Sequence, residues 1–466
     1  MFSKEIYTQR RQTLKSKLNK GIGLFMGNRE APCNYSANTY HFRQDSTFLY
    51  YFGLDEPDLA AVIDFETGKE VLYADDVSLD DIVWTGPLPA MQEKAEKIGL
   101  SHTSPRKNLA DYIREQKKKG RTVHFLPPYR GENMIELMDM LDIHPKEQKE
   151  KASEELIRAV VSMRMIKQPE EIEQIDRACN LGYAMHYTAM KLAKPGMVEQ
   201  ELAGIMEGIA VSGGYMPSFP IILTQNGEVM HGHVHNQVLT VGRLLLMDAG
   251  AELHSHYCSD FTRTIPVGGV FQGIAADLYN LVLRANNHCI RMCAPGVRFR
   301  DVHLAAATII TDGLKDLGLM KGDTAESVAA GAHAAFFPTG LGHNMGLDVH
   351  DMEDLGENYV GYDNTVSRST QFGLKSLRMA RLLEAGNVMT VEPGFYVIPA
   401  LLEMWKASGH NAAFINFEKC KPLYGFGGIR IEDDVLITPD GHWLLGSKRL
   451  PVTAQEIREV MQQLPA

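Results

Sequence analysis

Apolar and polar positions fall into blocks along this chain, and each block predicts an element. The opening, MFSKEIYTQRRQTLKSKLNKG, spaces apolar residues among charges and predicts an amphipathic helix. GIGLFMG (Gly21 to Gly27) and TVHFLPP (Thr122 to Pro128) are short apolar runs bounded by Gly and Pro, which predicts buried strands. AAVIDFETGKEVLYAD, from Ala60 to Asp75, predicts a hairpin turning at Thr67-Gly68. A charged segment, HPKEQKEKASEELIRAV, predicts a helix that leads out of this first α/β domain. QPEEIEQIDRACNLGYAMHYTAM then opens a second unit. Pro169 suits a first helical position, Glu170 and Glu171 favour the N-terminal dipole, and Ile172, Ile175 and Cys179 repeat on one face. The expected domains are 1–160 and 165–466.

The second unit carries a faint internal repeat. LAKPGMVEQELAGIMEGIAVSGG and MCAPGVRFRDVHLAAATIITDG each give a helix, a Pro-Gly break and a second helix ending near Gly. Coincidence between helix pairs is the plain alternative. A true duplication predicts two related halves facing each other across a shared sheet, with a site between them.

Length and composition narrow the class. With 466 residues, 44% hydrophobic and 23% charged, the chain suits a globular protein of two or three domains. A net charge of −11 leaves no basic stripe for phosphates, so no nucleic-acid partner is expected. No run of about 18 apolar residues appears, so no membrane span is expected. The first residues lack the apolar core of a secretory signal. The six cysteines are scattered without a CxxC pair, which predicts reduced, mostly buried thiols and a cytoplasmic protein.

The chemistry is carried by carboxylates at the edges of β-like runs. LLLMDAG ends an apolar run on Asp248, and SDFTRT begins the next at Asp260. GLGHNMGLDVHD holds His343 and His350 amid glycines, TVEPGFY holds Glu392, and GIRIEDD holds Glu432 behind Arg430. Singly, each is an ordinary cap or surface residue. Together, four carboxylates in one buried place would repel by several kcal/mol unless cations neutralise them. An oxygen-rich, Cys-free set favours harder ions such as Mn²⁺, and two divalent ions balance the charge of four carboxylates. That is the arrangement of two-metal hydrolysis.

These motifs, in this order, resemble the pita-bread metallopeptidases, and most closely aminopeptidase P and prolidase. YHFRQDSTFLYYFGLDEP (Tyr40 to Pro57) resembles the substrate-side motif of their creatinase-type N-terminal domain. The resemblance covers nearly the whole chain. It implies an α/β N-terminal domain followed by an α+β pita-bread catalytic domain with a pseudo-twofold repeat. It also implies two divalent ions, expected to be Mn²⁺, held by Asp248, Asp260, His343, Glu392 and Glu432. Glu392 would accept the proton of the attacking water, and His350 would stabilise the oxyanion. His231 matches the family's substrate-side histidine.

Several further residues carry two readings. On a strand, His231, His233 and His235 would share one face, as a zinc triplet or as second-layer and surface groups. Arg430 anchors a carboxylate behind the ligands or makes a plain ion pair. Phe219, where relatives often carry Tyr, is pocket wall or core. Trp84 resembles a prolidase tryptophan that reaches a neighbouring subunit's site, or else it is buried in its own domain. Aromatics from Phe48 to Phe52 are candidates for the wall around proline. The Asp248–Asp260 connection is one residue longer than the family's, which predicts a local bulge near His254 and His256.

The expected substrate is a peptide with proline second, and the expected assembly is a homodimer. Prolidases of the eukaryotic type bind the carboxylate after proline with an Arg from the insert before Glu432. Asn411 stands there, with Lys406 and His410 nearby. Without a cation in the pocket, longer peptides should be accepted, which favours an Xaa-Pro aminopeptidase over an Xaa-Pro dipeptidase. A non-catalytic peptide-binding module, or a metal-free creatinase-type enzyme, should lack some of the carboxylate set, and none is missing.

Overall fold

The computed structural model describes residues 2–463. They divide into two compact units. One runs up to Arg164 and includes Glu353–Tyr359, and the other covers Met165–Met352 and continues from Val360.

In the first unit a five-stranded sheet is built around Ile22–Met26. That strand pairs antiparallel with Ala60–Asp64 and parallel with Val123–His124. The expected hairpin forms, with Ala60–Asp64 antiparallel to Glu70–Tyr73. Its turn is tied by Asp64 Oδ1, which accepts from the amides of Glu66 and Thr67 at 3.0 and 3.1 Å. The strand expected over Thr122 to Pro128 shortens to Val123–His124, because Pro127 and Pro128 offer no N–H to a neighbour. The charged segment makes two helices, Pro145–Lys151 and Glu154–Arg164. They part at Ser153, whose amide donates to Phe125 O at 3.0 Å.

Two expectations in this unit are corrected. The aromatics from Phe48 to Phe52 are not a pocket wall. They lie on the helix Ser46–Phe52, capped by Asp45 and closed by Gly53 in the left-handed region, and every residue of that helix is buried. Trp84 is not buried in its own domain. It is 86% exposed on the helix Leu79–Thr85, which buries none of its residues.

In the second unit the repeat is real in its hydrogen bonding. Helices Pro169–Leu192 and Glu199–Gly213 form one pair, and Ile274–Met292 and Phe299–Asp316 form the other. At the first break Gly196 N donates to Leu239 O, and Leu239 N donates to Met197 O. At the second, Gly296 N donates to Leu383 O, and Leu383 N donates to Val297 O. The same backbone pattern recurs around both Pro-Gly turns, so the halves are related by structure as well as by sequence.

Each half supplies a three-stranded antiparallel sheet. Leu244–Ala249 lies between Ile222–Thr224 and Phe261–Pro266, and Asp433–Thr438 lies between Val388–Val391 and Gly441–Leu444. The expected shared sheet is therefore two blocks with a seam. Glu432 N donates to Thr262 O at 3.1 Å, and the Thr264 hydroxyl both donates to Arg430 O and accepts from Arg430 N. One continuous apolar core, including Met247, Ile265, Met389 and Val435, packs beneath both blocks. Among the described residues no helix is long and apolar enough to cross a membrane.

Candidate metal centre

Five polar side chains gather at the seam: Asp248 from within a buried strand, Asp260, Glu392 and Glu432 from strand ends, and His343 from irregular chain. Asp248 sits within Leu244–Ala249, opposite Thr262 on one side and Ile222 on the other. Asp260 directly precedes Phe261–Pro266. The glycine between their strands is forced by contact, since a Cβ on Gly250 would lie 1.7 Å from Ser259 O. Gly342 plays the same part for His343, because its Cβ would meet Thr390 O at 2.0 Å. That closeness lets Thr390 N donate to His343 O at 3.0 Å and aligns the histidine with the strand that leads to Glu392. Glu432 lies between Gly428–Arg430 and Asp433–Thr438, and its Oε2 accepts from Thr262 Oγ1 at 2.7 Å.

A cavity of about 400 Å³ opens over this cluster. Asp248, Asp260, His343, Glu392 and Glu432 all line it, as do His231, His350, Phe219 and Arg430. One donor atom each from Asp260, His343 and Glu432 fall within 4.8 Å of one another. Glu392 joins through Oε1, 3.7 Å from His343 Nε2. Asp248 stands apart, with its Oδ2 bound by Arg430.

The donor set fits divalent ions on its hydrogen bonding. His343 Nδ1 faces the Asn344 carbonyl at 3.1 Å, so the ring proton belongs there and Nε2 carries a lone pair. That lone pair faces Asp260 Oδ2 at 3.4 Å. Asp248 Oδ1 and Asp260 Oδ1 are buried and accept no hydrogen bond. Buried acceptors without donors are costly unless a cation sits among them.

Electrostatics agree. Burial, then the charges of Glu432 and Asp248, pushes the Asp260 carboxyl well above its usual range. Burial, then Glu392 and Asp248, does the same to Glu432. Glu392 is raised by burial, against the pull of Arg430. His343 is driven down by burial and then by His350, whose ring centroid lies 4.1 Å away, so its imidazole stays neutral. Neutral imidazole and unpaired carboxylates are the forms that ligate metals.

Arg430 meets both of its sequence readings at once. Its guanidinium binds Asp248, donates to Tyr396 Oη at 2.8 Å and to Thr262 Oγ1 at 3.0 Å. The histidine triplet is not on a strand. The segment 231–236 is irregular, His231 and His233 line the cavity, and His235 turns away to Leu223 O. The expected bulge is instead a tight turn. Leu253 N donates to Tyr257 O, His256 takes a φ of 65°, and its ring meets Glu252 at 2.6 Å.

The premise that no cation reaches the pocket does not hold. Lys406 pairs with Glu418 on the surface, His410 packs on Trp405, and Asn411 closes a turn at φ 53°. Arg378 lines the cavity and acts electrostatically on His231, His343 and Glu392. Sequence reasoning missed it. Its only signal was an Arg in SLRMARLLEAG, an irregular stretch without periodicity to aim it.

Known proteins share this architecture. The model of metallopeptidase family M24 matches residues 173–439, and that of the aminopeptidase P N-terminal domain matches residues 7–124. The human Xaa-Pro dipeptidase is 31% identical, over 98% of this chain and 93% of its own length. A probable Xaa-Pro aminopeptidase of Sordaria macrospora is 29% identical, over 91% and 87%. Among solved structures, Pseudomonas aeruginosa aminopeptidase PepP superposes with a TM-score of 0.80 at 26% identity, covering 99% of this chain and 98% of that one. Escherichia coli aminopeptidase P in complex with substrate gives 0.79 at 28%, with the same coverage.

Proposed function

We propose, from the premise that this chain belongs to metallopeptidase family M24, that it hydrolyses the bond before proline in peptides with proline second. The observation that carries this reading is the meeting of Asp260, His343 and Glu432 at one point, with Asp248 and Glu392 beside them in the same cavity.

Asp248, Asp260, His343, Glu392 and Glu432 would together hold two divalent ions, expected to be Mn²⁺. Such ions supply Lewis acidity and lower the pKa of water. Glu392 is the base that takes the water's proton, consistent with a carboxyl already raised by burial. His350 sits against His343 at the cavity wall, where its N–H serves the developing oxyanion. His231 stands at the mouth for the substrate's main chain, and Phe219 gives an apolar face to the proline ring.

Arg378 bears on the choice between the two activities. A guanidinium in this cavity suits the free carboxylate of a C-terminal proline, and that favours an Xaa-Pro dipeptidase. The likeness to solved aminopeptidase P structures supports the other reading, an Xaa-Pro aminopeptidase. The test compares Xaa-Pro dipeptides with Xaa-Pro-Xaa tripeptides under Mn²⁺. Preferential dipeptide turnover supports the Arg378 reading, and preferential tripeptide turnover returns the assignment to the aminopeptidase. Loss of neither peptide would sink the proline-specific reading altogether.

The helix Leu79–Thr85 exposes Leu79, Val83 and Trp84 together. A homodimer in which a second copy covers this face accounts for such an apolar patch.

A further inference from the structure

Behind the metal ligands stands another buried acid that the proposed chemistry does not use. Asp433 and Asp434 are adjacent and both buried, yet they are treated differently. Asp433 is neutralised by Arg263 at 2.6 Å and Arg449 at 2.7 Å. Asp434 meets no cation among the described residues. Its Oδ2 accepts the amide of Asp260 at 3.0 Å and the thiol of Cys179 at 3.3 Å, while Oδ1 accepts nothing.

Asp260 needs such support. Its Oδ1 is unpartnered, and its Oδ2 faces an imidazole nitrogen that carries no proton. The carboxylate is therefore aimed through its own backbone, and the Asp260 amide is fixed by Asp434. Cys179 is wholly buried on the helix Pro169–Leu192, and burial pushes its thiol well up, so the sulfur keeps its proton and donates. Three other buried thiols donate to main-chain carbonyls: Cys289 to Val302 O, Cys293 to Cys289 O and Cys420 to Leu319 O.

We propose that Cys179 is a positioning residue for the metal centre: its S–H steadies Asp434, Asp434 fixes the Asp260 amide, and the relay aims the Asp260 carboxylate at the ions. Hydrogen bonds behind a ligand fix its orientation and tune the affinity of the site. The thiol touches neither metal nor substrate, so its effect is read in metal affinity rather than in chemistry.

This inference rests on the metal-centre reading, and one experiment separates the two. Mn²⁺ is titrated calorimetrically into the chelator-stripped full-length protein. The wild type is expected to bind, Cys179→Ala to bind about five-fold more weakly for one lost hydrogen bond, and Cys179→Ser to recover most of the difference. Cys289→Ala, which removes a buried thiol that donates to the Val302 carbonyl, is expected to bind as the wild type does. Should Cys179→Ala not fold, Asp434→Asn reads the relay from its other end, with weaker Mn²⁺ binding expected. Wild-type affinity in Cys179→Ala, or an equal loss in Cys289→Ala, overturns the relay alone. A wild type that takes up no Mn²⁺ overturns the metal centre and the relay with it.

Discussion

His343 Nε2 and Asp260 Oδ2 face each other at 3.4 Å, and the histidine brings no proton to the contact. An imidazole nitrogen and a carboxylate oxygen that close together are the donors a divalent cation takes. Metal-free protein should therefore be strained by pH in a particular direction. The Asp260 and Glu432 carboxyls are raised above their unfolded values. A raised folded pKa contributes stability that is complete below the unfolded value, near pH 4, and lost as pH rises through the folded one. Divalent ions bind the ionised forms and reverse the trend. The gap in Tm between Mn²⁺-loaded and chelator-treated protein is expected to widen from about pH 5 to about pH 8. A gap that stays constant or narrows contradicts the account.

Arg430 is the permanent counter-ion of this site. Its partner Asp248 is nearly buried and has one oxygen without any other hydrogen bond. Arg430→Met should destabilise the metal-free protein by about 3–5 kcal/mol, because it leaves a buried carboxylate uncompensated. Added Mn²⁺ should recover part of that loss, since the ion takes over the charge. Urea unfolding with and without metal measures both quantities, and equal losses in the two states would contradict the role given to Arg430.

Arg378 is expected to act on substrate. Arg378→Ala should raise KM for Xaa-Pro dipeptides by about ten- to a hundred-fold, the equivalent of one charged hydrogen-bond set. Xaa-Pro amides, which lack the carboxylate, should be affected little. Steady-state kinetics on the two substrates decide it, and an equal effect on both would assign Arg378 to the protein's own architecture.

Trp84 should matter for assembly and not for folding of one chain. Its side chain is 86% exposed, so Trp84→Ala should change chain stability by no more than about 0.5 kcal/mol. If a second copy covers it, the dimer should dissociate at about thirty-fold higher concentration, as for a buried interfacial anchor. Sedimentation equilibrium reads this directly, and an unchanged dimer would place the interface elsewhere.

The candidate carboxylate ligands are readable in the sequence because they stand where a buried strand must stop being apolar, as Asp248 does after Leu244–Met247. The repeat was readable too, through Pro-Gly pairs whose backbone bonds recur. What lay hidden was whatever depends on irregular chain. Arg378 and the segment around His231 have no periodicity, so their aim is set by tertiary packing. The aromatics near Phe48 look like a recognition surface in one dimension, yet Asp45 and Gly53 cap them into a helix that folds wholly inward. Cys179 and Asp434 are far apart in the chain, and only the folded seam brings them together.

The most direct test of the metal centre is an anomalous difference map from crystals equilibrated with Mn²⁺. The account predicts two peaks in the cavity, both touching Asp260 and Glu432, with Asp248 on one and His343 and Glu392 on the other. Peaks on the exposed His231–His235 segment, or none beside Asp260 and Glu432, would contradict it.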